Sequence, residues 1–211
     1  MESLTMKPEE IESESFRIID REVGDHDWPD AEWQVVRRVI HTSADFDYAR
    51  NMLFSEKAVP QAVAAIRDGA GIYTDTNMAL AGIGKPRLLP FGCQILCHIG
   101  DSDVRALAQR EGVTRSVTAM RKAIRNPNNR IFVIGNAPTA LFELLRLTQL
   151  KQASPALIIG MPVGFVGAEE SKRDLAASQL GIPYITNVGR KGGSNVAAAI
   201  VNALAILAKQ D

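Results

Sequence analysis

The segment GRKGGSN at 189–195 is the strongest candidate for a binding site, because two cations and two adjacent glycines stand directly before a helical pattern. The N–H groups of such a turn and of the helix that follows form a site for an anion. Arg190 adds a planar donor suited to a carboxylate or phosphate, and Gly192 and Gly193 allow close approach of the backbone. The alternative is a surface loop that only connects two elements.

Two further glycine-bearing loops, GNAPT at 135–139 and GMPVGFVGAEESK at 160–172, have a similar character. All three loops follow apolar runs that predict strands, so they emerge at one edge of a parallel sheet and predict one large binding site. None has the G-x-G-x-x-G or P-loop pattern of a nucleotide site.

His41, in RRVIHTSADFDY, is the candidate acid/base residue, since histidine exchanges protons near neutral pH. A histidine at the end of a helix is more often a cap or a packed side chain, and that alternative stays open. His98 ends a predicted strand and is a weaker candidate for the same site.

Polar side chains at predicted helix starts are the next candidates for ligand contact. Arg115 and Ser116 begin the helix TRSVTAMRKAI and are better placed to reach a ligand than Arg121, six residues further on. Thr76 follows the strand AGIYTD, where a helix cap is expected in addition to any ligand role.

The two cysteines, Cys93 and Cys97, have a C-x₃-C-H spacing that does not fit haem attachment. On a strand, positions four apart point the same way, which predicts that both pack in the core. A metal site with His98 is the alternative, but no fourth ligand is apparent, so we predict no metal.

Composition narrows the class of protein. The 211 residues carry 24 Lys and Arg against 24 Asp and Glu, which argues against a dedicated nucleic-acid binder. Residues 101–130 hold seven Lys/Arg against three Asp/Glu, a basic zone that suits a polyanionic small molecule or is simply a solvated helix face. With neither a signal peptide nor a membrane-spanning run, we predict a cytoplasmic protein without a membrane partner.

These candidate residues need a scaffold, and the chain predicts an α/β fold. Apolar runs at 70–75, 93–99, 130–135, 155–160 and 182–188 alternate with helical patterns, which favours a mainly parallel sheet. The first third predicts helices only. We therefore expect a single doubly wound domain over 1–211 with a helical N-terminal arm, and residues 1–8 to be flexible.

Seven segments together resemble the precorrin-8X methylmutase family, which includes the cobalt-precorrin-8 enzymes. They occur in the family's order from about residue 9 to 205: ESESFRIIDREV, VVRRVIHTSADFDYA, TDTNMALAGI, TRSVTAMR, VIGNAPTALFELL, GMPVGFVGAEESK and GRKGGSNVAAAIVNALA. Each segment alone is a weak match, whereas the ordered set is specific.

This resemblance implies an isomerase that moves a methyl group from carbon eleven to carbon twelve of precorrin-8X or cobalt-precorrin-8. The product would be hydrogenobyrinate or cobyrinate, and no external cofactor is expected. It also implies a homodimer with active sites shared between subunits. His41 matches the catalytic histidine, a proton donor and acceptor, and the implied or plausible substrate contacts are Ser15, Arg38, Thr76, Arg115, Ser116, Asn136, Arg190, Lys191, Gly192, Gly193 and Ser194.

Two other functions stay open at this point. A carrier of a labile tetrapyrrole would need the anion-binding loops but no acid/base residue. A flavodoxin-like nucleotide or flavin protein would share the fold class, but neither the loop chemistry nor the aromatic content favours it.

Overall fold

The computed structural model describes residues 7–210, with side chains from residue 10 onward and at Lys7. The predicted flexibility of residues 1–8 therefore falls mostly outside the described residues and stays a prediction.

The helices and strands alternate after a helical beginning, as the sequence predicts. The first half contains α1 (Pro8–Val23), α2 (Asp30–Ser43), α3 (Tyr48–Asn51), β1 (Met52–Phe54), α4 (Ala58–Arg67), β2 (Gly71–Thr74), α5 (Asn77–Gly82), α6 (Lys85–Leu88) and β3 (Ile95–Leu96). The second half contains α7 (Ser102–Glu111), α8 (Arg115–Ala123), β4 (Asn129–Ile134), α9 (Pro138–Gln149), β5 (Leu157–Gly160), α10 (Ala168–Ala177), β6 (Tyr184–Asn187) and α11 (Ser194–Leu207).

The six strands form one sheet in the order β1-β6-β5-β4-β2-β3. All neighbouring strands are parallel except β1, which pairs antiparallel with β6. The five parallel strands follow the flavodoxin-like order, in which the direction of chain progression reverses between β2 and β4. The predicted α/β class and mainly parallel sheet are confirmed.

Two apolar cores, one on each face of the sheet, make the domain doubly wound. On one face Ile72, Ile131 and Ile159 pack against α2, α4 and α11. On the other face Phe132 and Ile158 pack against α8, α9 and α10. Because the central strands are covered on both sides, they are continuous apolar runs. The predicted N-terminal helices are confirmed, but α2 is part of the core and packs along α11.

Two strand predictions need correction. The strand β1 was missed, because three residues with an exposed Leu53 give no periodic signal. The run at 93–99 forms a strand only over Ile95–Leu96, so neither cysteine lies in it.

Cys93 is buried in the core and its thiol donates to the carbonyl of Ile66 at 3.4 Å, while Cys97 is half-buried. Burial raises the pKa of both thiols, which keeps them protonated and unreactive. Within residues 7–210, no group of three or more His, Cys, Asp or Glu side chains is arranged to hold a metal ion. No helix in this range is long and apolar enough to span a bilayer.

Candidate active site

The carboxyl ends of β2 and β4, where the strand order reverses, are joined to the start of α11. Thr76 caps α5 by accepting from the N–H of Ala79, and its hydroxyl lies 2.8 Å from that of Ser194. A Cβ at Gly135 would lie 2.6 Å from Cα of Ser194, so only glycine lets α11 begin this close to β4. The structure thus brings Thr76 and Ser194 together at the edge where ligands bind in such sheets.

Asp75 changes the interpretation of the GNAPT loop. Its buried carboxylate accepts the N–H groups of Gly135, Asn136 and Ala137 at 2.8, 2.9 and 2.8 Å. Burial raises the pKa of Asp75, and these three donors oppose that rise. These three N–H groups therefore bind a carboxylate of the chain itself. The exposed side chain of Asn136 stays a candidate contact.

The segment 188–193, which we call the anion loop, is fixed from several sides. Gly193 has φ +135° and donates to the carbonyl of Met161 at 2.9 Å. A Cβ at Gly192 would lie 2.6 Å from the carbonyl oxygen of Pro162 and closer still to that of Met161. The structure therefore requires glycine at position 192 for packing within the chain, whereas we expected it to admit a ligand.

Lys191 bridges the anion loop to the segment that follows α2. Its ammonium lies 2.6 Å from carboxylate oxygens of both Asp45 and Asp47. These hydrogen bonds raise the pKa of Lys191 and lower that of Asp47. Because two carboxylates already neutralise Lys191, these salt bridges fix the anion loop to the end of α2.

His41 lies in the last turn of α2 and is exposed. Its ring packs edge-on against Phe16 of α1, with centroids 5.3 Å apart. Arg38, one turn earlier, pairs with Glu12 of α1 at 2.9 Å. The hydrogen bond from Arg38 is the main reason that the pKa of Glu12 is lowered, with further contributions from the charges of His41 and Arg87.

Ser15 belongs to the same face of α1 as Glu12, three residues away, although its hydroxyl donates to the carbonyl of Ile11. The structure thus brings Ser15, Arg38 and His41 to one helix pair. The C-terminal end of α2, which carries His41, is in turn tied to the anion loop through Lys191, and this joins the two sets of predicted residues.

The remaining predicted cations are exposed at the same edge. The guanidinium carbon of Arg190 lies 5.7 Å from the centroid of the Phe165 ring. Its Nε lies 3.9 Å from a carboxylate oxygen of Glu169. Arg115 and Ser116 start α8, whose cap Thr114 lies 3.1 Å from Thr139 at the start of α9. This contact places the start of α8 beside the loop at 135–139.

Comparisons with known proteins identify the same family as the seven sequence segments. The family model for precorrin-8X methylmutase (CbiC) matches residues 10–207. The chain belongs to the precorrin-8X methylmutase family. It is 48% identical to the cobalt-precorrin-8 methylmutase of Priestia megaterium, over 97% of this chain and 90% of that protein. It is 42% identical to that of Leptospira interrogans, over 100% and 98% of the two chains.

A solved structure supports the fold as well. The precorrin-8X methylmutase of Thermus thermophilus superposes with a TM-score of 0.85 at 40% identity, covering 94% of this chain and 96% of that one. The family and the isomerase class predicted from the sequence are confirmed.

Several residues that contact the candidate site residues were missed from the sequence. On α1, Phe16 contacts His41 and Glu12 pairs with Arg38, and the charge of Arg87 acts on Glu12. Asp45 and Asp47 hold Lys191. The spacing of Glu12 and Phe16 on α1 was a usable signal, because positions four apart share a helix face. Lys172 was missed entirely, since a lysine in GAEESK normally faces solvent and this one is 2% exposed.

Proposed function

We propose that this chain moves a methyl group from carbon eleven to carbon twelve of precorrin-8X or cobalt-precorrin-8, with His41 as the proton donor and acceptor. The observation that carries the proposal is the position of His41. It is an exposed imidazole in the last turn of α2, and the segment that directly follows this turn is tied to the anion loop by the ion pairs of Lys191 with Asp45 and Asp47.

A single acid/base residue suffices for such a shift, because the migrating group stays on the same molecule and no nucleophile is needed. Protonation of the macrocycle by His41 would redistribute its electrons and lower the barrier, and the same imidazole would take the proton back. General acid–base catalysis of this kind contributes about 10²–10⁴-fold. The macrocycle held in a product-like shape would supply the rest.

The substrate class fits the charges of this edge. Corrin precursors carry several carboxylates around the rim, and Arg38, Arg115 and Arg190 offer planar donors for them. The anion loop adds backbone N–H groups. We propose Ser15, Thr76, Ser116, Asn136 and Ser194 as neutral contacts. The cytoplasmic location and the lack of a nucleic-acid partner stay predictions.

Anaerobic incubation with precorrin-8X and, separately, its cobalt form tests this function. We expect a change of the visible spectrum at constant mass for at least one of the two. Binding of both without conversion would favour the carrier function, and absence of binding would contradict the proposal.

Replacement of Arg38 or Arg190 by alanine should weaken substrate binding by about 1.5–3 kcal/mol each, because a charged hydrogen bond to a carboxylate is lost. Titration with hydrogenobyrinate, followed by its absorbance, measures the affinity. Arg173→Ala, on the exposed side of α10, removes the same charge outside the site and should bind normally. Unchanged affinity of Arg38→Ala and Arg190→Ala would exclude them as contacts.

We also propose that the protein is a homodimer in which the partner covers part of this edge. The tip of the 160–172 loop supports it, since Phe165 and Val166 are 86% and 88% exposed. Sedimentation should give about twice the chain mass of 22.9 kDa. Val166→Asp should shift the protein toward the monomer. Leu150→Asp, which changes an exposed residue at the C-terminal end of α9, should not. A monomeric wild type would contradict the proposal.

A further inference from the structure

Lys172 is a buried cation beneath the anion loop that the reaction itself does not use. Its side chain projects from α10 and the residue is only 2% exposed. The ammonium donates to the carbonyl of Lys191 at 2.6 Å and to Oδ1 of Asn187 at 3.1 Å. Burial of a charge is unfavourable unless partners compensate, so the position is maintained by these contacts.

Asn187 extends this contact along the loop. Its side-chain amide donates to the carbonyls of Val188 and Lys191, both at 3.0 Å. The carbonyl of Arg190 accepts from the N–H of Gly164 at 3.2 Å. The carbonyls of the anion loop are therefore turned toward the protein interior.

The N–H groups have the opposite arrangement. Among residues 7–210, those of positions 189–192 donate to no backbone carbonyl. A loop whose carbonyls are held inward presents its N–H groups to a ligand, which is the polarity that an anion requires.

We propose that Lys172 is a positioning residue that holds the anion loop in its carboxylate-binding conformation and adds a positive charge beneath it. The inference rests on the proposed function, since it assigns the loop to the rim carboxylates of the same substrate. Lys172 acts on affinity through the loop and has no part in proton transfer.

The charge of Lys172 changes near neutral pH. Burial lowers its pKa to about 8, and the charge of Glu169 opposes this effect. The other charged groups around the loop are Arg190 and Lys191 with its carboxylate partners, and hydrogen bonds raise the pKa of Lys191 and lower that of Asp47. Lys172 is thus the member of this group that loses its charge just above neutral pH.

The pH dependence of ligand affinity and that of the free energy of unfolding run in opposite directions if Lys172 has a positioning role. The pKa of Lys172 is lower in the folded chain than the ordinary lysine value of 10.5, so between about pH 8 and 10.5 the unfolded chain binds more protons. The contribution of Lys172 to the free energy of unfolding therefore rises with pH in this range. Affinity should move the other way, because the ammonium beneath the loop is lost.

The test uses the full chain and hydrogenobyrinate as the probe, titrated between about pH 7 and about pH 9.5. For wild type we expect the dissociation constant to rise about tenfold across this range. For Lys172→Met it should be about tenfold higher already at neutral pH and should change little with pH, with kcat within about threefold of wild type. Arg173→Met, the neighbouring exposed position, should retain the wild-type profile.

Equal affinity and an equal pH profile in Lys172→Met and wild type would overturn the positioning role. A kcat loss as large as the affinity loss would also overturn it. If Lys172→Met does not fold, the wild-type profile decides, since an affinity that is flat across the pKa excludes the charge. If wild-type protein converts substrate but its affinity does not change with pH, only the positioning role of Lys172 is refuted. If wild-type protein neither binds nor converts substrate, the proposed function is refuted as well.

Discussion

His41→Ala is expected to lower the rate of methyl transfer by about 10²–10⁴-fold or more, while hydrogenobyrinate affinity stays within about tenfold of wild type. The imidazole is exposed and contacts Phe16 only edge-on, so its removal leaves the packing of α2 intact. The free energy of unfolding should change by no more than about 0.5 kcal/mol. Single-turnover absorbance measurements with saturating enzyme give the rate free of binding effects.

His26→Ala is the matched control for this variant. His26 is also exposed and also packs against an aromatic ring, that of Trp33 at 4.0 Å, but it precedes the first turn of α2 and lies at the opposite end of that helix from His41. Turnover should survive its loss. If His41→Ala loses affinity as much as rate, or keeps the wild-type rate, then His41 is not the acid/base residue.

Gly192→Ala should displace the anion loop and weaken hydrogenobyrinate binding by about tenfold or more. The new Cβ would meet the carbonyl oxygens of Met161 and Pro162 at less than 3.0 Å. The carbonyl of Met161 cannot move easily, because Met161 donates to Ile134 at 2.8 Å and accepts from Gly193. Overpacking of this kind costs about 1–3 kcal/mol, which denaturant unfolding measures beside the titration.

Gly100→Ala is the corresponding control, since its Cβ would meet only the side-chain nitrogen of Asn77 at 3.8 Å. We expect wild-type stability from it. Gly192→Ala with normal affinity and stability would show that the anion loop tolerates displacement, and would remove it from the binding site.

The fold and the location of the site could be predicted because both depend on local patterns. Strands covered on both faces are apolar throughout, as in RIFVIG and PALIIG, and parallel strands bring their following loops to one edge. The caps at Thr76 and Thr114 follow from residue type at a helix start. The edge strand β1 has three residues and no such pattern.

The contacts that determine the properties of the site join residues far apart in the chain, so no spacing reveals them. Asp75 binds backbone groups 60 to 62 positions later, and Lys191 binds Asp45 across 146 positions. The first pairing engages the N–H groups of the loop at 135–137 within the chain, and the second fixes the anion loop to the end of α2. Lys172 is a similar case, because its burial follows from how α10 packs beside β6.

The central claim is that the enzyme moves the methyl group from carbon eleven to carbon twelve of the macrocycle, and isotope tracing tests this most directly. Precorrin-8X labelled with carbon-13 in the methyl group on carbon eleven would be incubated anaerobically with the full chain and followed by NMR and mass spectrometry. Our account predicts that the label appears on carbon twelve at unchanged molecular mass, and that His41→Ala leaves it in place. A label that stays on carbon eleven with wild-type enzyme, or that is lost from the macrocycle, would contradict it.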